Sequence, residues 1–173
     1  MKRIILICLL IAITIPAWSF AGVIGPARIR LADGDIMFRT PDTAEWLPAS
    51  VNTPLDEGDA VWCPENAKAE IQLADGTLVR LDDNSQLDMI ANEDGFTHLH
   101  LASGRLYLRT AQNSARNSLQ IDADDTTVLP DARTRLRIDM LPNSQEDVSI
   151  FKGSAYVEGG GNRTKVRAGE HIA

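Results

Sequence analysis

The chain is short of sulfur, of histidine and of aromatic rings, and each shortage removes a class of function. Two cysteines, Cys8 and Cys63, stand in 173 residues. Cys8 falls inside an apolar leader, so a mature domain keeps one thiol, forms no internal disulfide and must draw its stability from core packing. No His or Lys neighbours Cys63 in the sequence to lower its pKa, and a buried, small apolar role is the expectation. The only imidazoles are His98, His100 and His171, and no Gly-x-Ser-x-Gly elbow accompanies them, which argues against a serine hydrolase. Aromatic residues make up 5% of the chain, and no basic stripe runs interleaved with them. The formal charge is −7, or −9 (15 minus 24) once Lys2 and Arg3 are removed, so nucleic acids and anionic membrane surfaces are disfavoured partners. Beyond the leader, no apolar stripe of period 3.6 reaches helical length.

What is present at the start reads as an export signal. Lys2-Arg3 is followed by the apolar segment Ile4 to Ile15, then Pro16, then Ser19-Phe20-Ala21 with small residues where signal peptidase needs them. Residues 1–21 are read as a signal peptide cleaved after Ala21, leaving 22–173 as one domain of ordinary size. No charge occurs from Ile4 through Ala27, so an uncleaved leader is also long enough to span a bilayer, and a membrane association would arise only that way. Either outcome sends residues 22–173 across the membrane, to a periplasmic or secreted location. Lipid attachment needs a Cys directly after the apolar segment, whereas Cys8 lies within it.

The remaining sequence carries one pattern four times: two alternating apolar positions, a glycine, then a second apolar run. The copies are Ile29 to Phe38, Ile71 to Arg80, Leu99 to Leu108 and Val148 to Val157, with turns at Gly34, Gly76, Gly104 and Gly153. Read as hairpins with two-residue loops, they pair Leu31 with Ile36 and Ile29 with Phe38. The third pairs Leu101 with Leu106 and Leu99 with Leu108, and the fourth Ile150 with Ala155 and Val148 with Val157. The second copy breaks phase, because Ile71 would then face Arg80. Either that hairpin is bulged, its strand is covered on both faces, or the two-residue pairing is wrong. Copy offsets of 42, 28 and 49 residues are too unequal for a regular solenoid. Many short strands between Gly, Pro and Asn turns predict an all-β domain, a sandwich or a short stack of antiparallel hairpins.

Candidate chemical sites reduce to ordinary turns and faces. His98 and His100 stand two apart on a strand and share a face, where a metal would need a third ligand such as His171. The hairpin pairing sets them opposite Arg109 and Tyr107, and a cation there disfavours a metal. Asp122, Asp124 and Asp125, or Asp82, Asp83 and Asn84, lack the spacing of a calcium loop. Gly159-Gly160-Gly161 has no Gly-Lys-Ser/Thr after it, so it reads as a hairpin tip rather than a phosphate loop. No catalytic, cofactor-binding or metal residue is assigned, and no cofactor is expected.

The order of motifs resembles the FecR-type domain family. Arg28 to Thr40 reads as an opening Val/Ile-rich hairpin. It is followed by Leu55-x-Glu57-Gly58-Asp59-x-Val61, then Ala69-Glu70-Ile71-Gln72-Leu73-x-Asp75-Gly76-Thr77-x-Val79-Arg80-Leu81. Gly104-Arg105-Leu106-Tyr107, Arg135 to Asp139, Gly153-Ser154-Ala155-Tyr156-Val157 and Val166-x-Ala168-Gly169-Glu170 complete the series. The resemblance implies an all-β domain outside the cytoplasmic membrane with no catalytic residues. Its founding type relays a signal from an outer-membrane iron-siderophore transporter to a cytoplasmic sigma factor through a membrane helix and a cytoplasmic segment. Three residues before the apolar leader cannot form such a segment, so the expectation is a free-standing exported member. It would be a non-enzymatic interaction or sensing module that binds an envelope protein or cell-wall component through sheet edges or hairpin tips. The alternative is an envelope carbohydrate-active or hydrolytic protein whose carboxylates the sequence does not identify. That reading requires a cleft with two carboxyls about 5 to 9 Å apart, one with a raised pKa.

Overall fold

A computed structural model describes residues 27–43, 45–93, 95–141 and 145–173. The signal segment at 1–21 and the turn expected at Pro142-Asn143-Ser144 lie outside the described residues. The chain runs back and forth between two sheets. It enters sheet I with β1 (Ala27–Asp33), crosses to sheet II for β2 (Met37–Arg39) and β3 (Leu47–Pro48), returns for β4 (Pro54–Leu55) and crosses again for β5 (Ala60–Cys63). Sheet I then takes β6 (Lys68–Leu73) and β7 (Leu78–Leu81), and sheet II takes β8 (Ser85–Glu93) and β9 (Phe96–Ser103). β10 (Arg105–Arg109) is in sheet I, β11 (Leu119–Ala123) and β12 (Thr126–Pro130) in sheet II, and β13 (Arg135–Leu141) and β14 (Gln145–Lys152) in sheet I. β15 (Ser154–Gly159) and β16 (Asn162–Arg167) close sheet II, and β17 (His171–Ile172) closes sheet I.

Sheet I therefore has the order β17-β14-β13-β10-β7-β6-β1-β4 and sheet II the order β16-β15-β12-β11-β9-β8-β5-β2-β3. All neighbours are antiparallel except β9 and β11, which run parallel on either side of the sheet I strand β10 and the loop after it. Alternating residues from both sheets meet in one core. Ile71, Leu106 and Ile138 from sheet I and Leu99, Leu101 and Ile121 from sheet II are wholly buried in it. The all-β class and the two-layer stack agree with the sequence expectation.

The four repeated segments do not share one fold. Only Ile71 to Arg80 is a hairpin: β6 and β7 pair with Ile71 opposite Val79 and Glu70 opposite Arg80. Its loop has three residues, Ala74-Asp75-Gly76, closed by Leu73 N–H donating to the Thr77 carbonyl at 2.9 Å, with Gly76 at φ +86°. The two-residue pairing was thus the wrong assumption, and Arg80 sits opposite a carboxylate instead of Ile71. The other three segments are arches. β1 pairs with β4 and β6, β9 with β8 and β11, and β14 with β13 and β17, never with the strand that follows the glycine. The expected pairs Leu31–Ile36, Leu101–Leu106, Ile150–Ala155 and their outer partners are therefore not strand partners. An arch places its two arms on facing sheets, and the same alternation then points both arms into the core between them. Leu31 departs further, because a bulge at Arg30-Leu31 turns it outward to 44% exposure.

Arches stack on arches. A Cβ on Gly104 would lie 2.3 Å from the Ser85 hydroxyl, one on Gly153 would lie 2.6 Å from the Thr134 hydroxyl, and one on Gly34 would lie 2.9 Å from the Asn66 carbonyl oxygen. Ser85 Oγ accepts the Arg105 N–H at 2.8 Å, and Thr134 donates its hydroxyl to the Ser154 carbonyl at 2.9 Å. In both cases a fully buried hydroxyl grips the residue just after the neighbouring arch's glycine. Gly76 has nothing within 4 Å of the equivalent position.

Two outcomes follow from this packing. Gly76→Ala meets only the backbone penalty of a left-handed residue, about 1–2 kcal/mol, whereas Gly104→Ala adds a clash of the overpacking kind, for a loss of about 2–5 kcal/mol. Urea denaturation of the two variants checks the ranking, and equal losses would sink the stacked-arch account. Cys63 is completely buried, and burial pushes its thiol up to about 12. A thiol reagent is expected to label Cys63 at the rate of unfolding, followed by mass spectrometry, and rapid stoichiometric labelling of folded protein would contradict this.

Candidate interaction face

Of the titratable groups singled out in the sequence, His98, His100, Asp82 and Asp122 are held in structural pairs. His98 and His100 do share the outer face of sheet II, but their neighbours are not Arg109 and Tyr107, which lie in the other sheet because Gly104 is an arch. His98 flanks Gln120 and Ala91, and His100 flanks Asp122 and Asp88. His98 Nε2 lies 2.6 Å from Asp122 Oδ2, and His100 Nδ1 lies 3.1 Å from Asp88 Oδ2. Burial pushes the Asp122 carboxyl up, but bonds from His98, Gln120 and Thr127 outweigh it and hold the group below the usual carboxylate range. His171 is on β17 in sheet I, away from both. Among the described residues, no three His, Cys, Asp or Glu side chains gather as a metal group. Asp82 is bonded to Lys68 at 3.0 Å, which is the main reason its carboxyl is also held low.

One carboxyl is shifted the other way. Burial raises the pKa of Asp59, yet the side chain accepts the Asp56 N–H at 2.9 Å within its own turn and lines none of the main surface clefts. It serves the turn.

Sheet edges offer little to an added strand. β3, β4 and β17 are two residues each. The six-residue β16 is guarded by cations, with Arg163 and Lys165 lying over the Tyr156 ring at 4.5 and 4.9 Å.

The outer face of sheet I is different, and strand register arranges it in three rows. In the lowest, Lys68, Asp82, Arg105 and Asp139 alternate in sign and bond in sequence: Lys68 to Asp82, and Arg105 to both Asp82 and Asp139. The middle row runs from Glu70 to Arg80, Tyr107 and Arg137. Glu70, 7% exposed, binds Arg80 at 2.7 Å and Arg30 at 2.8 Å. The upper row places Leu78, Arg109, Arg135 and Lys152 on successive strands. Between the upper two rows lies a cleft of about 510 Å³, walled by Leu31, Leu78, Tyr107 and Phe151 and rimmed by Arg80, Arg109 and Arg135. A bulge in β14 opposite Arg135–Leu136 leaves Phe151 between the paired Lys152 and Ile150, and the residue is 56% exposed.

None of these rows was visible in the linear sequence. Their residues come from five strands. Two signals were available: Arg105-x-Tyr107-x-Arg109 alternates cations and an aromatic along one strand face, and Arg80 is charged where the other copies are apolar, which marks a strand that shows its second face to solvent.

Residues 59–156 match the model of the family described as FecR protein. A search of curated proteins finds no match. Two crystal structures of a "putative anti-sigma factor" from Parabacteroides distasonis ATCC 8503, at 1.65 and 2.50 Å, share the fold with a TM-score of 0.56 and identities of 12% and 13%. Each match covers 65% of this chain and 53% of the solved one, so the chain spans about half the length of those proteins. The family match takes in β5 through the start of β15, including the hairpin at Gly76, the arches at Gly104 and Gly153 and most of the three-row face. The chain belongs to the FecR protein family.

Proposed function

We propose that this chain is an exported, non-enzymatic FecR-like sensing or interaction domain of the bacterial envelope. Residues 22–173 act as a single domain after removal of residues 1–21, and the domain works by binding another envelope protein. The observation that carries this reading is the outer face of sheet I. A folded two-layer protein has no internal need to present Leu78, Tyr107 and Phe151 around one cleft with unpaired arginines beside them. Tyr, Phe and Arg are the side chains that dominate protein interfaces. The regulatory description carried by the solved neighbours supports the same direction. Catalysis by paired carboxylates has less support, since Asp59, the acid with the raised pKa, is committed to its turn.

Crosslinking and pulldown of the tagged chain from an envelope extract are expected to recover a specific partner. Tyr107→Glu combined with Phe151→Glu is expected to reduce that recovery at least tenfold without lowering the melting temperature. No partner above background would overturn the proposal. N-terminal sequencing of the protein from the periplasmic fraction is expected to start at Gly22, and a cytosolic chain starting at Met1 would remove the exported part of the reading.

A further inference from the structure

The upper row of the sheet I face is an arrangement that folding alone disfavours. Arg109 and Arg135 are direct cross-strand partners, as are Arg135 and Lys152, on strands about 4.8 Å apart. Arg133 joins them around a shallow depression beside Thr110 and Gln112. All four side chains are exposed, and among the described residues none makes an ion pair. Like charges opposed across strands are destabilising, and the chain has acids in excess, 24 against 17 basic residues. The lowest row of the same face alternates in sign and is compensated cation by cation, whereas the upper row sets Arg109, Arg135 and Lys152 side by side with no acid between them.

Charge and shape together select the occupant. The cationic groups are exposed, which favours many moderate contacts over the tight capture of one small anion. A polyphosphate strand or the headgroups of an anionic bilayer would engage the cations and leave the apolar cleft beside them unused. A protein segment uses both features. We infer that the row of Arg109, Arg133, Arg135 and Lys152, with the adjoining cleft, docks an acidic segment of a partner protein that also carries an apolar anchor. Its carboxylates meet the guanidinium and ammonium groups, Arg offering the planar two-point geometry that suits carboxylates. The anchor fills the space lined by Leu78, Tyr107 and Phe151. This assignment rests on the binding role proposed above and names its surface and the chemistry of its partner.

The test titrates the full chain with a fluorescent peptide of glutamates around one central leucine, at low and physiological salt. Arg135→Gln with Lys152→Gln is expected to weaken binding at least tenfold. Arg163→Gln with Lys165→Gln, which removes the same charge from sheet II, is expected to change it less than twofold. Replacing the peptide's leucine by glycine is expected to weaken binding to the unaltered chain, and the Arg135 and Lys152 variant is expected to melt no lower than that chain. Equal loss in both double variants, no loss in the first, a lowered melting temperature for it, or binding of anionic vesicles or duplex DNA in place of the peptide would each overturn the assignment. Partner capture separates the two proposals. Capture that survives Arg135→Gln with Lys152→Gln removes this site and leaves the binding role intact. Absence of any capture by the unaltered chain removes the binding role, while the peptide titration still decides the site.

Discussion

Everything in this fold hangs on how its chain passes from one sheet to the other. A crossing breaks the ladder of backbone hydrogen bonds, and the freed N–H and C=O groups lie at the rim of the core, where leaving them unpaired is expensive. The recurring solution is a hydroxyl from an adjacent crossing or, for Thr77, from the adjacent hairpin turn. Ser85 takes the Arg105 N–H, Thr134 takes the Ser154 carbonyl, Thr110 receives the Thr134 N–H at 2.8 Å, and Thr77 receives the Ala111 N–H at 3.0 Å. These four side chains are buried, so each bond forms with little competition from water. The approach they require leaves no room for a Cβ on Gly104 or Gly153. Core packing supplies the driving force in a chain whose described cysteine is unpaired, while the hydroxyl contacts fix how successive crossings stack.

That stacking sets the register across each sheet, and register makes the two outer faces unlike. On sheet II, histidines and carboxylates fall beside one another and satisfy each other. On sheet I, the same geometric rule brings Arg109, Arg135 and Lys152 into line while acids occupy the rows below. The asymmetry is a product of strand order, since exchanging the arch at Gly104 for a hairpin would put Arg109 beside His98 and dissolve both arrangements.

The all-β class, the positions of most strands and the buried character of Cys63 were legible because alternation and turn residues are local properties. The fate of each Gly turn was not. Leu99-x-Leu101 and Leu106-x-Leu108 satisfy an arch and a hairpin equally, because either fold buries the same four side chains. The difference lay in phase: the one copy with a three-residue loop carried a charge where the others were apolar. Thr77, Ser85, Thr110 and Thr134 passed unnoticed, since a hydroxyl next to a turn ordinarily faces solvent and only the neighbouring arch buries it. The basic row was hidden for a related reason. Arg109, Arg135 and Lys152 are far apart along the chain, and net acidity described the sum of the charges and concealed their placement.

The order of strands also bears on how the molecule comes to exist. Strands join each sheet nearly in the sequence in which they are translated, and among the described residues no strand partners are further apart in the chain than Ala27 and Leu73. Loop closures are therefore modest in entropy, and each new crossing finds its stacking partner already in place. Assembly of this kind resembles the growth of a repeat array, where a terminal unit can detach while its neighbours hold. The outermost strands, β3 and β4 on one side of the stack and β16 and β17 on the other, each have one hydrogen-bonded neighbour, so loosening starts at either side while the middle holds.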